Sequence, residues 1–548
     1  MSLCFKKESQ NHQSFDARSF GNTEAQRSQS KQPTIQSLST VWRRVATTIC
    51  SNRDEWFPLR LRASVSLCFT PPQKPTHLRF VYIDYPLFAS PPHSLSPSPK
   101  ELTTMQTRRS FLQVAGSTSI CAMSTPAWAY RRILGSNNRL NIGAIGVGGR
   151  GAGDLDAVGS ENIVALCDVD RNALDAAANR YSGAKKYADY RSLLEQSDLD
   201  AVVIGTPDHH HAPATSRALR RGLHVYCEKP LTHTLAEARI ITELAKEKGV
   251  ATQMGTQNHE HPGYLRLVEL LQTNAIGPVR SVHVITDRPG KWWPQGVAMP
   301  SEQPTVPEHL NWDLWLGPAA ARSYHSAFAP FRWRGWWDYG CGAVGDMAIH
   351  LMDPAFWGLK LGGPVTVRSE GPRPDPYSAP KWMHTVFSFG QRGELAPVDV
   401  HWYEGETSPE KSIADELPMN GSLFVGDLGK IAIAHDGMPK LLPLDRFADF
   451  TPPAPFLPAS PGHHKQWIEA AKGNGKASSS FDYSGPFTEV VLLGNVAYRS
   501  EAQITYDPAK MEITQIDSSN PTSSLSQAAL LKVANRLLTK EYRKGWEV

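Results

Sequence analysis

Residues 140–155, LNIGAIGVGGRGAGDL, decide the fold. The segment passes from an apolar strand-like stretch into glycines and then into a helix-compatible stretch, and Gly146, Gly148 and Gly151 fit the pattern G-x-G-x-x-G. The next apolar stretch, NIVALCD, ends in Asp168. A strand, glycine turn and helix in this order bind a pyrophosphate through backbone amides, and an acid after the following strand binds ribose hydroxyls. We therefore expect a Rossmann dinucleotide site, with NAD favoured over NADP because Asp168 would repel a 2′-phosphate.

Short apolar strands alternate with amphipathic helices from the glycine turn to about residue 258. This alternation predicts a parallel, doubly wound sheet, in which ligands bind at the carboxyl ends of the strands. Polar residues follow three of the predicted strands, in TPDHHH at 206–211, EKP at 228–230 and QNH at 257–259. The helices are expected near 171–181, 191–196, 212–221 and 235–248.

Past residue 364 the apolar residues follow a different pattern. TVFSFG, DVHWYE, SLFVGD and KIAIAHD alternate as strands of an antiparallel sheet do, and helices are expected near 464–471 and 486–500. The last forty residues include a helix-like segment to which the sequence assigns no role.

The first 129 residues differ from the rest of the chain. Residues 1–104 show no sustained periodicity and become rich in proline, so we expect disorder there. Residues 105–129 contain TRRSFLQ, an apolar run and an A-x-A site at 127–129, the order of a twin-arginine export signal. The alternative is a short amphipathic segment with a chance arginine pair. Because an export signal acts from an N-terminus, we expect Met105 to be the true start, the preceding residues to be translated upstream sequence, and the mature protein to be periplasmic or otherwise exported.

Composition excludes several classes of protein. The formal net charge is +4, but the basic excess lies before residue 130, so we expect no basic face for a nucleic acid. The only cysteines after residue 129 are Cys167, Cys227 and Cys341. Three widely spaced cysteines, an odd number, do not make a disulfide framework. No later stretch is long and apolar enough to predict a stable membrane span.

Four motifs in order, GAIGVGGRG, TPDHHH, CEKP and GAVGDMAIHLMD, resemble the glucose-fructose oxidoreductase and inositol dehydrogenase (Gfo/Idh/MocA) family. Asp208 stands where the family usually has Asn and Ala348 where it often has Gly, and neither departure touches the expected chemistry. The resemblance implies an α/β Rossmann domain at 139–262. It further implies a substrate-binding α+β domain at 263–510 with an open, mainly antiparallel sheet, then a tail with a helix at 511–548. A homo-oligomer and a small carbohydrate substrate are implied as well.

The resemblance assigns catalysis to Lys229, Asp346 and His350. From the residues alone, Asp346, His350 and Asp353 fall at i, i+4 and i+7 on one helix face, where an acid would fix the histidine tautomer and raise its basicity. His350 can then accept a hydroxyl proton while the charge of Lys229 stabilises the oxygen. A hydrogen-bonded core histidine and a zinc ligand are the alternatives. Because no third nitrogen or sulfur ligand is placed nearby, we expect no metal.

The motifs also predict which residues hold the cofactor. They are Gly146, Gly148, Gly149, Arg150, Gly151, Asp168, Thr206, Pro207, His211, Glu228, Lys229 and Gln257. Of the three adjacent histidines only His211 matches the family pattern, close to the cofactor. We expect His209 and His210 to be exposed to solvent.

Eight of the fifteen tryptophans lie between Trp292 and Trp357. Aromatic faces beside arginines suit a carbohydrate, whose C–H face stacks on rings while its hydroxyls bond polar groups. The alternative is that these rings only pack an insertion or a subunit contact. The substrate candidates are Trp333, Trp336, Trp337 and Asp353.

The favoured function is an exported NAD-dependent oxidoreductase acting on the CH–OH group of a sugar, polyol or glycoside. Because the periplasm has no substantial pool of free nicotinamide nucleotide, a cofactor carried out inside a folded protein should stay bound and be recycled. A coupled oxidoreductase and an NAD-retaining glycosidase working through transient C3 oxidation therefore stay open. A catalytically inactive sugar-binding module is a further alternative, against which Lys229, Asp346 and His350 argue together.

Overall fold

The computed structural model describes residues 138–518 and 526–548. All of them belong to one compact unit, Ser117–Val548. The disorder predicted for 1–104 and the export signal predicted for 105–129 lie outside the described residues and stay predictions.

The first domain is a six-stranded parallel sheet with its helices. The strands are β1 (Asn141–Ile145), β2 (Asn162–Cys167), β3 (Lys185–Tyr187), β4 (Ala201–Ile204), β5 (His224–Cys227) and β6 (Thr252–Met254). The helices are α1 (Gly149–Ala157), α2 (Arg171–Arg180), α3 (Tyr190–Leu193), α4 (Asp208–Arg220) and α5 (Leu235–Lys248). The sheet order is β3-β2-β1-β4-β5-β6, which reverses between β1 and β4 and so leaves a crevice at the carboxyl ends of these strands. The Rossmann domain is therefore confirmed.

The second domain is built on a nine-stranded sheet. Its strands are β7 (Val279–Thr286), β8 (Thr366–Glu370), β9 (Met383–Phe389), β10 (Val398–Glu404), β11 (Gly421–Gly426), β12 (Gly429–Ala434), β13 (Lys440–Leu442), β14 (Gln503–Asp507) and β15 (Glu512–Asp517). The helices that follow α5 are α6 (Pro262–Gln272), α7 (Trp312–Leu316), α8 (Ile349–Leu351), α9 (Asp353–Gly358), α10 (Lys411–Ala414), α11 (His463–Ala471), α12 (Phe481–Arg499) and α13 (Gln527–Arg536), with 3-10 turns at Gln257–Glu260 and Arg332–Gly335 and a π-helical turn at Val344–Ala348.

The order of this sheet is β13-β12-β11-β7-β10-β9-β8-β14-β15. Strands β7 and β10 pair in parallel, and the other neighbours pair antiparallel. The predicted class, a Rossmann domain followed by a domain with a mainly antiparallel sheet, is confirmed.

One apolar core extends through both domains. Helix α12 packs against α5 of the first domain and against β8 of the second. Its buried Phe487 and Val491 belong to the same cluster as Val202 of β4 and Val400 of β10. Because the two sheets share this core, the surfaces that face each other across the crevice are held in a fixed relation.

Two helices begin earlier than predicted. Helix α4 starts at Asp208 and α12 at Phe481, and each contains a proline in its interior, Pro213 and Pro486. Proline is favoured at the start of a helix, which placed the predicted starts near these prolines. In α4 the missing amide of Pro213 frees the carbonyl of His209, which accepts a hydrogen bond from Lys540 Nζ at 3.3 Å. Helix α5, by contrast, has the predicted bounds, because a Thr234/Glu237 capping box begins it and a left-handed glycine ends it.

The three cysteines of the described chain are free and buried. Cys167 and Cys227 end β2 and β5, where they act as small apolar residues. Within 138–518 and 526–548, every helix is too short or too polar to cross a bilayer.

Candidate active site

A cleft of about 950 Å³ lies at the carboxyl ends of the first sheet's strands. One wall is formed by residues that follow β1, β2, β3, β4 and β5, and the other by the second domain. The residues of the second wall include Arg288, Trp292, Trp293, Trp333, Arg334, Asp346 and His350. Strands β3 and β5 are four positions apart in the sheet, and neighbouring strands lie about 4.8 Å apart, so the cleft spans roughly 19 Å between their ends. That length suits a dinucleotide.

The glycine turn permits close packing of β1, α1 and β4. Gly146 has a φ of +77°, and a Cβ there would lie 2.8 Å from the backbone of Gly205. A Cβ on Gly151 would lie 1.9 Å from the carbonyl oxygen of Gly146. Gly151 therefore packs helix against strand and does not line the cleft, whereas Gly148 and Gly149 do.

Asp168 braces the glycine turn from the end of β2. Its Oδ2 accepts hydrogen bonds from the amides of Val147 at 2.9 Å and Gly148 at 3.2 Å, and its Oδ1 accepts one from the amide of Asp170 at 2.9 Å. Burial raises the pKa of this carboxyl, against the lowering effect of those three amides. The side chain lines the cleft at the point where a ribose would lie.

The residues present fit a dinucleotide. Gly149, at the first position of α1, has a φ of +50° and no atom within 4 Å of an added Cβ, so its backbone faces open space in the cleft. Thr206, which follows β4, has a buried Oγ1 that no described residue bonds. The amides of Gly148 and Gly149 at a helix N-terminus would hold the pyrophosphate, and Asp168 would hold a ribose.

Glu228 connects the glycine turn to the end of β6. Its Oε1 accepts hydrogen bonds from Arg150 Nε at 3.1 Å and from Gln257 Nε2 at 2.5 Å. Arg150 also donates to Asp154 at 2.5 Å. Burial, with a further contribution from Asp154, raises the pKa of Glu228 to about 7. Arg150, Glu228 and Gln257 all line the cleft.

Lys229 and Asp346 meet across the cleft. Lys229 Nζ donates to Asp346 Oδ1 at 2.6 Å and to the Asp346 carbonyl at 3.2 Å. Arg334 Nε donates to the same Oδ1 at 3.3 Å. Although burial acts in the opposite direction, Lys229 and Arg334 hold the pKa of Asp346 well below its ordinary value. The carboxylate is therefore ionised, with two cations beside it.

His350 lines the same cleft but is not bonded to Asp346. No hydrogen bond joins the two side chains in the described chain, and His350 Nδ1 is buried without a partner. The prediction that Asp346 fixes the tautomer of His350 is wrong, because the π-helical turn shifts the i, i+4 register and Asp346 instead pairs with Lys229. Burial, then the charge of Lys229, holds the pKa of His350 well below its ordinary value. The imidazole is neutral.

The three adjacent histidines are all buried. His211 does not line the cleft, and its ring nitrogens lie 2.7 Å from the Pro230 carbonyl and 2.9 Å from the Thr206 carbonyl, so it holds two cleft loops together. The prediction that His209 and His210 are exposed is wrong. The Nε2 atoms of both rings lie within 3.0 Å of the Trp315 carbonyl, because α4 begins at Asp208 and turns them toward the second domain.

Only Trp333 of the substrate candidates lines the cleft. The Arg334 guanidinium carbon lies 4.2 Å from the centroid of its ring. Trp336 and Trp337 pack in apolar clusters outside the cleft, as the alternative of a packed insertion predicts. Asp353 is fully buried, where His259 Nδ1 lies 2.8 Å from its Oδ2 and Tyr483 donates to its Oδ1 at 2.6 Å. Its expected place beside a substrate is therefore wrong.

Two cleft residues, Arg288 and Trp546, were missed, and Arg334, one of the arginines expected beside the aromatic rings, has a partner that was not predicted. Arg288 lies over the ring of Trp292 at 3.8 Å, and Arg334 pairs with Asp346. Trp546, in the C-terminal tail, also lines the cleft. A tryptophan near the end of a polar tail was the available signal for this residue. In the described chain, no group of three His, Cys, Asp or Glu side chains is arranged to hold a metal ion.

Comparison with known proteins matches two family models to the chain. Residues 140–256 match the GFO_IDH_MocA model, described as an oxidoreductase family with an NAD-binding Rossmann fold. Residues 279–395 match the C-terminal alpha/beta domain of the same family.

Individual relatives match parts of the chain. Inositol 2-dehydrogenase of Salmonella paratyphi B is 31% identical over 150 residues, which are 26% of this chain and 45% of that protein. A dTDP-3,4-didehydro-2,6-dideoxy-alpha-D-glucose 3-reductase of Streptomyces violaceoruber is 40% identical over 107 residues, 20% of this chain and 31% of that one. The chain thus spans less than half the length of these curated relatives. The solved WlbA dehydrogenase of Bordetella pertussis superposes with a TM-score of 0.48 at 18% identity, over 67% of this chain and 99% of that one.

Proposed function

We propose that the chain is an oxidoreductase of the Gfo/Idh/MocA type, which oxidises a CH–OH group of a sugar, polyol or glycoside with NAD that stays bound; the matches of residues 140–256 and 279–395 to two models of that family support this proposal. The observation that carries the proposal is that Lys229, Asp346 and His350 share one cleft with the glycine turn. An ammonium, a carboxylate and a neutral imidazole therefore surround one space within reach of the nucleotide site.

Lys229 is suited to hold the reacting oxygen. An ammonium has three protons to donate, and Lys229 uses two of them on Asp346. The third remains for a hydroxyl oxygen, whose developing negative charge the ammonium stabilises. The Asp346 carboxylate holds the Lys229 ammonium in place. Arg334, which also contacts Asp346, adds a second positive charge beside this carboxylate.

His350 is suited to take the hydroxyl proton. A neutral imidazole can accept a proton, and the lowered pKa of His350 leaves the ring unprotonated before a substrate binds. NAD, when bound, supplies the acceptor for the hydride. The base and the ammonium then act on the same CH–OH group from the protein side.

The second wall favours a carbohydrate. Trp292 and Trp333 supply aromatic rings, and Arg288 and Arg334 supply hydrogen-bond donors beside them. The name of one matched relative, inositol 2-dehydrogenase, is consistent with a polyol or sugar substrate. We further propose export, with the cofactor inside, on the basis of the twin-arginine motif.

The test begins with the purified chain. Denaturation should release NAD at about one molecule per chain, and incubation with a panel of sugars, polyols and glycosides should reduce that NAD. Build-up of NADH supports the dehydrogenase, whereas hydrolysis of a nitrophenyl glycoside without net NADH supports the NAD-retaining glycosidase. A chain that neither holds NAD nor reduces added NAD with any of these compounds would contradict the proposal.

A further inference from the structure

The C-terminal segment 539–548, here called the clasp, is fastened to both domains. On the first domain, Lys540 Nζ contacts Glu237 Oε1 at 2.8 Å, and Tyr542 donates to the same oxygen at 2.8 Å. On the second domain, Arg543 donates to Asp313 Oδ1 at 2.7 Å. The clasp therefore bridges the two domains.

The clasp places Trp546 in the wall of the cleft. The side chain is 3% exposed, and its ring lies 4.0 Å from the Arg191 guanidinium. The rings of Tyr190 and His210 lie 5.6 Å away, both at steep angles to the indole. Upstream of the ring, Arg217 Nη2 donates to the Gly545 carbonyl at 2.8 Å. Four residues of the Rossmann domain thus hold the end of the chain at the cleft.

Trp546 packs beside Tyr190, just after the end of β3, and beside His210 of α4. Tyr190 begins α3 directly after β3, whereas Lys229 follows β5, and these strand ends are roughly 19 Å apart. Asp168, which follows β2, lies between them in the sheet order. With the reacting group at Lys229, the adenosine half of a dinucleotide extends past Asp168 toward Tyr190 and Trp546.

A loop of the second domain covers the same end. The amide of Arg171 donates to the His309 carbonyl at 2.8 Å, and the amide of Asn311 donates to the Val169 carbonyl at 2.9 Å. His309 Nδ1 lies 2.9 Å from Asp170 Oδ1. Two separate segments of the chain, this loop and the clasp, therefore close over the residues that follow β2 and β3.

We propose that Trp546 is a cofactor-binding residue that contacts the adenine ring of NAD, and that the clasp keeps the dinucleotide in the cleft. The inference rests on the proposed function only in requiring that the cleft holds NAD. Trp546, Tyr190 and His210 all line the same cleft as the glycine turn and Asp168. An indole ring supplies the apolar contact area that a purine needs.

The test measures how fast NAD leaves the protein. In the Trp546→Ala variant, release of bound NAD into a chase of unlabelled NAD should be about five-fold faster or more, since an aromatic contact with a base is worth at least about that factor in affinity. Trp546→Phe, which keeps an aromatic ring, should release NAD at close to the wild-type rate. Phe456→Ala, at an exposed aromatic outside the cleft, is the control. Release from Trp546→Ala at the wild-type rate would overturn the inference.

A second variant leaves the core untouched. Asp313 is 73% exposed, and Asp313→Lys places a like charge opposite Arg543 without disturbing buried residues. It should accelerate NAD release, and hydrogen exchange of 539–548 should slow when NAD is added to the wild type. If NAD does not change the hydrogen exchange of 539–548 and Asp313→Lys releases NAD at the wild-type rate, the clasp does not retain the cofactor. A wild-type chain that binds no NAD at all would instead remove the proposed function, and the inference with it.

Discussion

At the scale of single residues, the active site depends on which charges are paired. Lys229 is bonded to Asp346 at 2.6 Å, and the side chains of both are largely buried. An ion pair with little exposure is poorly screened, so its geometry is held more firmly than that of a surface pair. Among the described residues, Lys229 Nζ bonds only to Asp346, which leaves one ammonium proton for a substrate oxygen, and the neutral His350 lines the same cleft.

Replacement of Lys229 tests this assignment. In Lys229→Ala the ammonium that stabilises the substrate oxygen is lost, and we expect kcat to fall by roughly 10² to 10³-fold. Bound NAD should remain, because the glycine turn and Asp168 are untouched. Turnover and NAD content are measured on the same preparation, with Lys381→Ala as a control at an exposed lysine outside the cleft. Full activity in Lys229→Ala would remove Lys229 from the mechanism.

Glu404 offers a test of a buried charge away from the cleft. Its oxygens accept hydrogen bonds from Trp402 Nε1 at 2.7 Å and Gln295 Nε2 at 3.2 Å, and burial raises its pKa to about 7. A carboxyl with a raised folded-state pKa stabilises the fold below its unfolded pKa and loses that contribution as pH rises through 7. Relative to Glu404→Gln, the wild type should lose about 3 kcal/mol of unfolding free energy between pH 5 and pH 8. Denaturant unfolding at both pH values measures the difference, and parallel pH profiles would contradict it.

Part of the active site could be predicted from the sequence, residue by residue. The spacing of the glycines, of EKP and of D-x-x-x-H predicted residues that the structure brings to one cleft. The partner of Asp346 was not predictable, because a helical i, i+4 rule assumes α geometry and the chain makes a π-helical turn there. Trp333 and Trp336 lie three residues apart in the same aromatic segment, so their local sequence does not distinguish them. Only the tertiary fold determines that Trp333 lines the cleft and Trp336 does not.

At the scale of elements, the glycine turn determines how closely α1 packs against the first sheet. The atoms nearest to a Cβ at Gly151 would be backbone atoms, with the Gly146 carbonyl oxygen at 1.9 Å and the Gly205 Cα at 3.4 Å. Backbone atoms cannot move away as a flexible side chain can. Two positions later on the same helix, a Cβ at Gly153 would meet nothing within 4 Å.

These two glycines form a matched pair. Gly151→Ala should lower the unfolding free energy by about 1 to 3 kcal/mol through overpacking and weaken NAD binding, because α1 has to shift away from the turn. Gly153→Ala should raise the unfolding free energy by about 0.5 to 1 kcal/mol, because alanine favours the helix and has room. Denaturant unfolding and NAD titration measure both variants. Equal stability of the two would show that α1 does not pack as described.

The elements themselves were predicted where local signals agree. Helix α5 has both a capping box and a C-terminal glycine, and its bounds match the prediction. Helices α4 and α12 began too late in the prediction, because an interior proline resembles a first-turn proline in sequence. The difference matters for α4, since its true start buries His209 and His210 against the second domain.

At the scale of the whole molecule, the cofactor cleft is enclosed by parts of the chain far apart in sequence. The loop at 309–311 and the tail at 539–548 both reach residues of the first domain. Contacts between segments so far apart in sequence leave no local sequence pattern. The contacts of the tail with the first domain were therefore not predictable. Both domains therefore contribute residues to the wall of the cleft.

Export of the folded, loaded protein is the prediction that joins these features. Arg108→Lys with Arg109→Lys removes the arginine pair that the export machinery recognises, and the chain should then accumulate in the cytoplasm while retaining NAD. The wild type should appear in the periplasm with NAD already bound, because this route carries folded proteins. Arg131→Lys with Arg132→Lys, a second arginine pair just after the expected cleavage site, is the control and should be exported normally. Cell fractionation followed by NAD assay of each fraction decides the matter, and unchanged export of the Arg108/Arg109 variant would refute the signal.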